Sequence, residues 1–315
     1  MLKMKLSLGL VMVLSATVVV GCKKKSNNKA PSVKRQGATS RPVTRRASDT
    51  TRLARVPDNW IKSRVTETKA RLEKTKAGKL LWSAMEAAGG LKTWFSNGPL
   101  AYRFAYRPLK GKVRDTHQVI DTWSARARHA HTANKGMTFG WDGKVAWRLP
   151  KGKKQPIAVR FWALTPFYFV GIPFVLGDKG IRLKLEGSMK FEGRTYDQVR
   201  VTFGEGVGDA PKDFYVLLID SKTKRIGGVR YIVSYPGFFK NGKHSPEKLM
   251  TYDGVQEVQG IKFPKTFRSF LWKGKGPGKQ LTNSIMEDVS FKSKLPWSYF
   301  SVPNDADTIK GYRQP

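Results

Sequence analysis

Few side chains in this 315-residue sequence stand at spacings that could do chemistry. His129 and His131 are two apart, so on an extended strand both face one side and could supply half of a metal site. No third ligand lies near them, and the pair reads as ordinary histidines on a polar sheet face. His117 and His244 belong to no recognisable motif. Glu205, Asp209 and Asp213 surround Gly206-Val207-Gly208, but their spacing departs from an EF-hand loop and reads as a structural turn. Glu287 and Asp288 are adjacent, so on a strand they point to opposite faces and cannot work as an acid/base pair. There is no Gly-x-Ser-x-Gly elbow and no His-Glu-x-x-His. The run Lys273–Lys279 (KGKGPGK) lacks the Gly-Lys-Ser/Thr ending of a phosphate loop and reads as a hairpin tip. No catalytic residue, metal or cofactor is expected, and the protein is read as a non-enzyme. A secreted hydrolase with an unrecognised motif stands as a third alternative to the two readings developed below.

The one remaining reactive side chain is the single cysteine, Cys22. A lone cysteine excludes an intrachain disulfide and any multi-cysteine zinc site. Its position is informative. Met1–Lys5 carries two lysines, Leu6–Val20 carries no charge, and small residues follow. That is the layout of a secretory signal, and the apolar run is short for a membrane span. Val19-Val20-Gly21-Cys22 resembles a bacterial lipobox. The resemblance implies cleavage after Gly21, a lipidated Cys22 as the first residue, and attachment to the membrane through acyl chains. Lys23 stands where an aspartate would mark retention at the inner membrane. By that analogy the protein is expected at the outer membrane, facing the periplasm.

Residues 23–57 hold eleven Lys/Arg against one acid, Asp49, and no aromatic residue. Such a segment buries too little apolar surface to offset its chain entropy and reads as a disordered basic tether. It spans roughly 30–35 Å on average. The expected organisation is therefore a signal over 1–22, a tether over 23–57 and one folded domain over 58–315.

The domain begins with helical spacing. Trp60, Ile61, Val65 and Leu72, then Leu80, Leu81, Met85 and Ala88, predict one long or two successive amphipathic helices over about 59–88, ended by Gly89-Gly90. Trp82 and Trp94 are expected in the core. After Pro99 the period becomes two. Leu100, Tyr102, Phe104 and Tyr106 alternate with Ala101, Arg103, Ala105 and Arg107, and similar alternation recurs to Phe291, punctuated by turns such as Asp142-Gly143 and Asn241-Gly242. The expected class is α+β, mainly β: a curved, incompletely closed antiparallel sheet of about 10–11 strands, a covering N-terminal helix and an apolar insert.

That insert is Phe161–Leu176 (FWALTPFYFVGIPFVL), with six aromatic residues and no charge. Pro166, Gly171 and Pro173 exclude a central strand, and the run is too short to span a bilayer. It reads as a short helix or loop lying across the sheet. It is either a plug of the domain's own core or a mobile lid over a ligand cavity.

The order of signal, basic tether, helix, meander, apolar insert and further strands resembles the LolA/LolB-like superfamily of periplasmic lipoprotein carriers. Within it, several words are similar to a largely uncharacterised lipoprotein group. These are Ala87-Ala88-Gly89-Gly90-Leu91 with Trp94, Ile172-Pro173-Phe174 with Asp178 and Gly180, Val201–Asp209 with Pro211, Asp213 and Tyr215, and Val258, Gly260 and Pro264. Lys179 departs from the proline of that pattern. The resemblance covers residues 59–300. It implies a half-open sheet whose concavity holds acyl chains, and so a carrier or chaperone for a lipid, an acyl chain or a lipoprotein. The residues expected to line or cover that concavity are Trp162, Phe167, Phe169, Ile172 and Phe174 of the insert, with Tyr102, Phe104 and Val201 from the inward strand faces.

Charge supplies a second reading. The whole chain carries 59 Lys+Arg against 23 Asp+Glu, a net +36. Such an excess suits a polyanion. Nucleic acid is scarce at the expected address, which leaves anionic lipid, lipopolysaccharide and acidic cell-wall polymers. On this reading the protein is a structural or interaction protein with a filled core. A ligand-sized gap beneath the insert separates the two readings.

Overall fold

The computed structural model describes residues 52–204, 210 and 212–309. Cys22, most of the basic tether, and Glu205 and Asp209 lie outside the described residues.

Three helices precede the sheet. α1 (Asp58–Leu72) buries Ile61, Thr68 and Leu72, one face of a helix otherwise clothed in charge. α2 (Lys76–Ala87) starts at Thr75, whose hydroxyl accepts the Gly78 N–H at 3.0 Å. A Cβ on Gly78 would lie 1.9 Å from the Leu72 carbonyl oxygen, so only glycine lets α2 leave α1 at this angle. Gly89 and Gly90 end α2 with φ of 119° and 85°, as the sequence predicts. α3 (Leu91–Ser96) then drives Leu91, Trp94 and Phe95 into the core. Trp82 is only partly buried.

The tether boundary needs correction. Leu53 bridges Pro296, the Ala54 N–H donates to Leu295 O at 2.7 Å, and Arg52 lies 4.1 Å over the Trp297 ring. Residues 52–57 therefore belong to the folded unit. Composition misassigned them because their partners come from the far end of the chain.

Fifteen strands follow among the described residues: β1 (Leu100–Tyr106), β2 (Arg114–Ile120), β3 (Ala127–His131), β4 (Thr138–Trp141), β5 (Ala146–Leu149), β6 (Ile181–Phe191), β7 (Arg194–Phe203), β8 (Phe214–Asp220), β9 (Ile226–Tyr231), β10 (Lys248–Asp253), β11 (Gln256–Val258), β12 (Ile261–Phe263), β13 (Thr266–Trp272), β14 (Pro277–Phe291) and β15 (Asp307–Ile309). Thirteen form one antiparallel sheet in the order β15-β5-β4-β3-β2-β1-β14-β13-β10-β9-β8-β7-β6, and β11 and β12 make a separate hairpin. β14 joins the two arms by pairing with β1, Leu100 opposite Phe291. The count exceeds the expected 10–11 partly because β15 carries little alternation to announce it. In addition, Gly254, at φ 67°, separates β10 from β11.

Between β5 and β6 runs the insert: α4 (Val159–Trp162), α5 (Thr165–Val170) with a proline in its first turn, and a 3-10 turn (Phe174–Gly177). It also shows how far the sheet curls. The Arg160 guanidinium sits 4.8 Å from the Trp141 ring of β4. The next residue, Phe161, packs 5.1 Å from Tyr235, just past β9. In a flat sheet β4 and β9 would stand about 34 Å apart. The sheet thus wraps around the insert, yet its edge strands β15 and β6 do not pair, so it stays open.

Candidate functional site

The concavity is lined by one in-phase face of each strand. On β1 that face carries Leu100, Tyr102, Phe104 and Tyr106, and on β7 it carries Val199, Val201 and Phe203. All eight residues expected to line or cover the concavity (Trp162, Phe167, Phe169, Ile172, Phe174, Tyr102, Phe104 and Val201) fall in a single buried cluster, none more than 6% exposed. Trp162 meets Tyr106 at 5.2 Å. Trp94 of α3 stacks on Phe174 at 4.7 Å and on Phe167 at 6.1 Å. Phe169 meets Tyr231 of β9 edge to face at 5.6 Å.

Polar contacts fasten the insert at several points along its length. Tyr252 Oη donates to the Phe169 carbonyl at 2.8 Å. His129 Nε2 lies 2.7 Å from the Ala163 carbonyl, so that nitrogen carries the proton and donates. At the far end Arg71 donates to the Gly177 carbonyl at 2.6 Å, Thr68 donates to the same oxygen at 3.3 Å, and Arg64 pairs with Asp178. The insert is thus clasped by α1, roofed by α3 and seated on β2, β3, β9 and β10.

Among the described residues, two small voids adjoin it. One void of about 10 Å³ lies among Phe104, Arg114, Gln118, Phe139 and Trp162. A second of about 30 Å³ lies among Phe95, Trp123, Phe167, Phe174 and Asp178. The first holds at most a single water. Both fall far below the several hundred Å³ of an ordinary ligand pocket, about 300 Å³ or more. Among the described residues the insert packs against the concave face as a plug.

The chamber around the insert is lined mainly by apolar and aromatic side chains. Desolvation pushes the phenols of Tyr102, Tyr168, Tyr231 and Tyr252 well above their ordinary range. Desolvation likewise holds His129 down at about 3, opposed by its bond to Ala163 and aided by His131. The expectation of two histidines on a polar face is corrected here. Both lie on the inward face: His129 is 1% exposed and stacked on Phe139 at 4.5 Å, and His131 Nε2 donates to Gln155 Oε1 at 2.9 Å. The insert's carbonyl and Gln155 supply the polar partners that make this burial tolerable. Among the described residues no three His, Cys, Asp or Glu side chains converge as metal ligands.

Asp213 is also buried. It accepts the Ser234 N–H at 2.8 Å, and desolvation lifts its carboxyl to about 7 despite that bond and the nearby Lys248. Lys248 is held down at about 8 by its own burial.

An open antiparallel sheet wrapped on an apolar insert, with helices across its mouth, now stands as the architecture. The chain is similar to LolA-superfamily proteins. A LolA-superfamily protein from Nitrosomonas europaea aligns over 72% of this chain and 98% of its own, at 12% identity and TM-score 0.48. A DUF1329-family protein from Desulfovibrio piger aligns over 76% and 97%, at 11% and 0.46. A putative outer membrane lipoprotein-sorting protein domain from Vibrio parahaemolyticus aligns over 72% and 97%, at 12% and 0.46. No protein-family model and no curated protein sequence matches the chain. At these identities the likeness is one of general architecture, and nothing about ligand or partner passes across with it.

Proposed function

We propose that this LolA-like chain is a non-enzymatic lipoprotein of the bacterial envelope, held to the outer membrane through Cys22. It carries or chaperones an apolar ligand (an acyl chain, a lipid or the acyl part of a lipoprotein) in the concavity that the insert occupies. The observation that carries this reading is the nature of the occupant. Phe161–Leu176 is uncharged and is seated largely by aromatic side chains, with hydrogen bonds to its Ala163 and Phe169 carbonyls and an ion pair only beyond its end, at Asp178, as a displaceable ligand would be. A lipid chain taking its place restores apolar burial at roughly 25 cal/mol per Å², which offsets the surface the insert exposes on leaving. The insert is then plug and lid at once.

A second reading is favoured by a different observation. The interior is already filled, and the folded part keeps 46 basic against 22 acidic residues beyond residue 57. On that reading the protein links the outer membrane to an anionic lipid, lipopolysaccharide or cell-wall polymer through its basic surface, with a dependence on salt.

The deciding experiment is native mass spectrometry of the full chain carrying Cys22→Ser, purified without detergent. Co-purified lipid, or displacement of a fluorescent fatty-acid analogue by long-chain lipids, is the result expected for a carrier. A bare chain that binds no analogue, yet binds anionic vesicles in low salt only, would replace the carrier with the polyanion-binding protein.

A further inference from the structure

Three neighbouring strands place polar side chains in one row on the concave floor. Tyr102 on β1 stands opposite Gln118 on β2, and Gln118 stands opposite His129 on β3. Each is buried, at 1–2% exposure. Directly opposed side chains on neighbouring strands lie about 5 Å apart at Cβ, so the three form a short polar band in an aromatic chamber. Each also holds a buried polar atom without a hydrogen-bond partner: Tyr102 Oη, Gln118 Oε1 and His129 Nδ1. Gln118 uses its amide nitrogen on Thr116 Oγ1 at 2.9 Å, and His129 uses Nε2 on Ala163. Orphaned polar atoms are costly in so dry a place, and three in register call for a partner.

We propose that Tyr102, Gln118 and His129 form a headgroup subsite that reads an uncharged hydrogen-bond donor, a hydroxyl or an amide N–H, on the apolar ligand. The inference rests on the carrier reading above and specifies what that carrier selects. The row offers two bare acceptors, Gln118 Oε1 and His129 Nδ1, and one hydroxyl that both donates and accepts. A carboxylate or phosphate brings acceptors only and would face lone pairs without a counter-charge. Two arginines on this face are engaged with other groups. Arg114 stacks on Trp162 at 4.8 Å and on Tyr106 at 5.4 Å, and Arg148 pairs with Asp307 at 3.2 Å. His129 itself stays neutral at physiological pH, since burial holds it far below its ordinary value. A hydroxyl or amide satisfies the row without bringing charge into it. The void of about 10 Å³ beside Gln118 is the seed of that space, and withdrawal of α4 from over His129 would enlarge it.

The test uses four probes of one chain length: 1-monooleoylglycerol, oleamide, methyl oleate and oleate. Their dissociation constants are measured by displacement of a fluorescent fatty-acid analogue from the full chain carrying Cys22→Ser. The two donor-bearing probes are expected to bind about tenfold or more tightly than methyl oleate and oleate, one hydrogen bond's worth or better. The tighter of the two tells whether the reader prefers a hydroxyl or an amide. Tyr102→Phe removes a hydroxyl that has no partner in the protein. Gln118→Met removes the bare acceptor at nearly constant volume. Both are expected to lose the preference, read as the ratio of dissociation constants between donor-bearing and other probes within each variant, with a melting temperature at or above the parent's. If all four probes bind equally, or the preference survives in Tyr102→Phe, the subsite is wrong and the carrier stands. If the parent binds none of the four, the carrier falls and takes the subsite with it. Should Gln118→Met misfold, Tyr102→Phe decides alone.

Discussion

His129 gives the sharpest test of the buried floor. Its imidazole is lowered from 6.5 to about 3, mainly by desolvation. A group whose folded value is depressed stabilises the fold fully above its unfolded value, and that contribution is lost as pH falls toward the folded one. The window is therefore pH 6.5 down to about 3. Each unit is worth about 1.4 kcal/mol, so pH 4.5 should already cost the parent about 2–3 kcal/mol through this one residue. In His129→Phe the ring still stacks on Phe139, but the bond to the Ala163 carbonyl is lost, a penalty of about 1–3 kcal/mol that does not depend on pH. The groups around His129 are the Ala163 carbonyl, Phe139, Gln118 and His131, and of these only His131 titrates, in both proteins. Urea unfolding followed by tryptophan fluorescence from pH 4.5 to 7.5 measures the difference. The parent should be the more stable by about 1–3 kcal/mol at pH 7.5, and that lead should shrink to zero or reverse by pH 4.5. A difference that stays flat across the range would falsify the claim that His129 is buried and neutral, and with it the placement of the insert over β3.

Four other outcomes are open to measurement. Asp213→Asn should show the opposite pH sign. The carboxyl is raised to about 7, so its protonated form suits the fold and the parent loses stability as pH rises from about 4 to 7. The variant's gain should grow over that range to about 2–4 kcal/mol, and a gain independent of pH would count against the burial. Tyr252→Phe strips the Phe169 carbonyl of its partner. It should cost about 1–3 kcal/mol and speed amide exchange in α5 more than in β8; equal effects on both would argue against a separately seated plug. Cys22→Ser should abolish labelling by a palmitate analogue and release the protein from membranes, and persistent labelling would refute the lipobox reading. Brief trypsin treatment should cut within the basic stretch, at Arg45 or Arg46, and spare Arg52, which lies against Trp297; early cleavage at Arg52 would contradict the bridge to Pro296.

The legible parts of this fold were those where one period held over a whole element. β1 reads LAYRFAY, and its inward set, Tyr102 and Phe104 included, followed from alternation alone. Val201 followed in the same way from β7. The insert is legible because sixteen uncharged residues with six aromatics have to be buried, although composition alone does not separate a plug from a lid. β2 reads RDTHQVI, polar on both faces, so no alternation marks Thr116 and Gln118 as inward-pointing or as sharing a floor with His129. That floor exists because strands from one arm meet backbone carbonyls of a later segment, a pairing that no local pattern encodes. Arg52 and Leu53 were missed for the same reason, their partners lying near Pro296.

The seam between β1 and β14 carries a consequence for biogenesis. Leu100 and Phe291 face each other at the middle of the sheet, though nearly the whole domain separates them in sequence. Contacts of such long range form slowly, because loop closure must precede any gain from the pairing. A chain emerging in order from a membrane pore would make the β1 to β5 meander first. It could not join its two arms until the fourteenth strand had followed. On the proposed export route, the same delay would favour a chain still open enough to thread. The aromatic insert is left without its full seat until late, a period in which a chaperone, or the proposed ligand, would have the opportunity to bind.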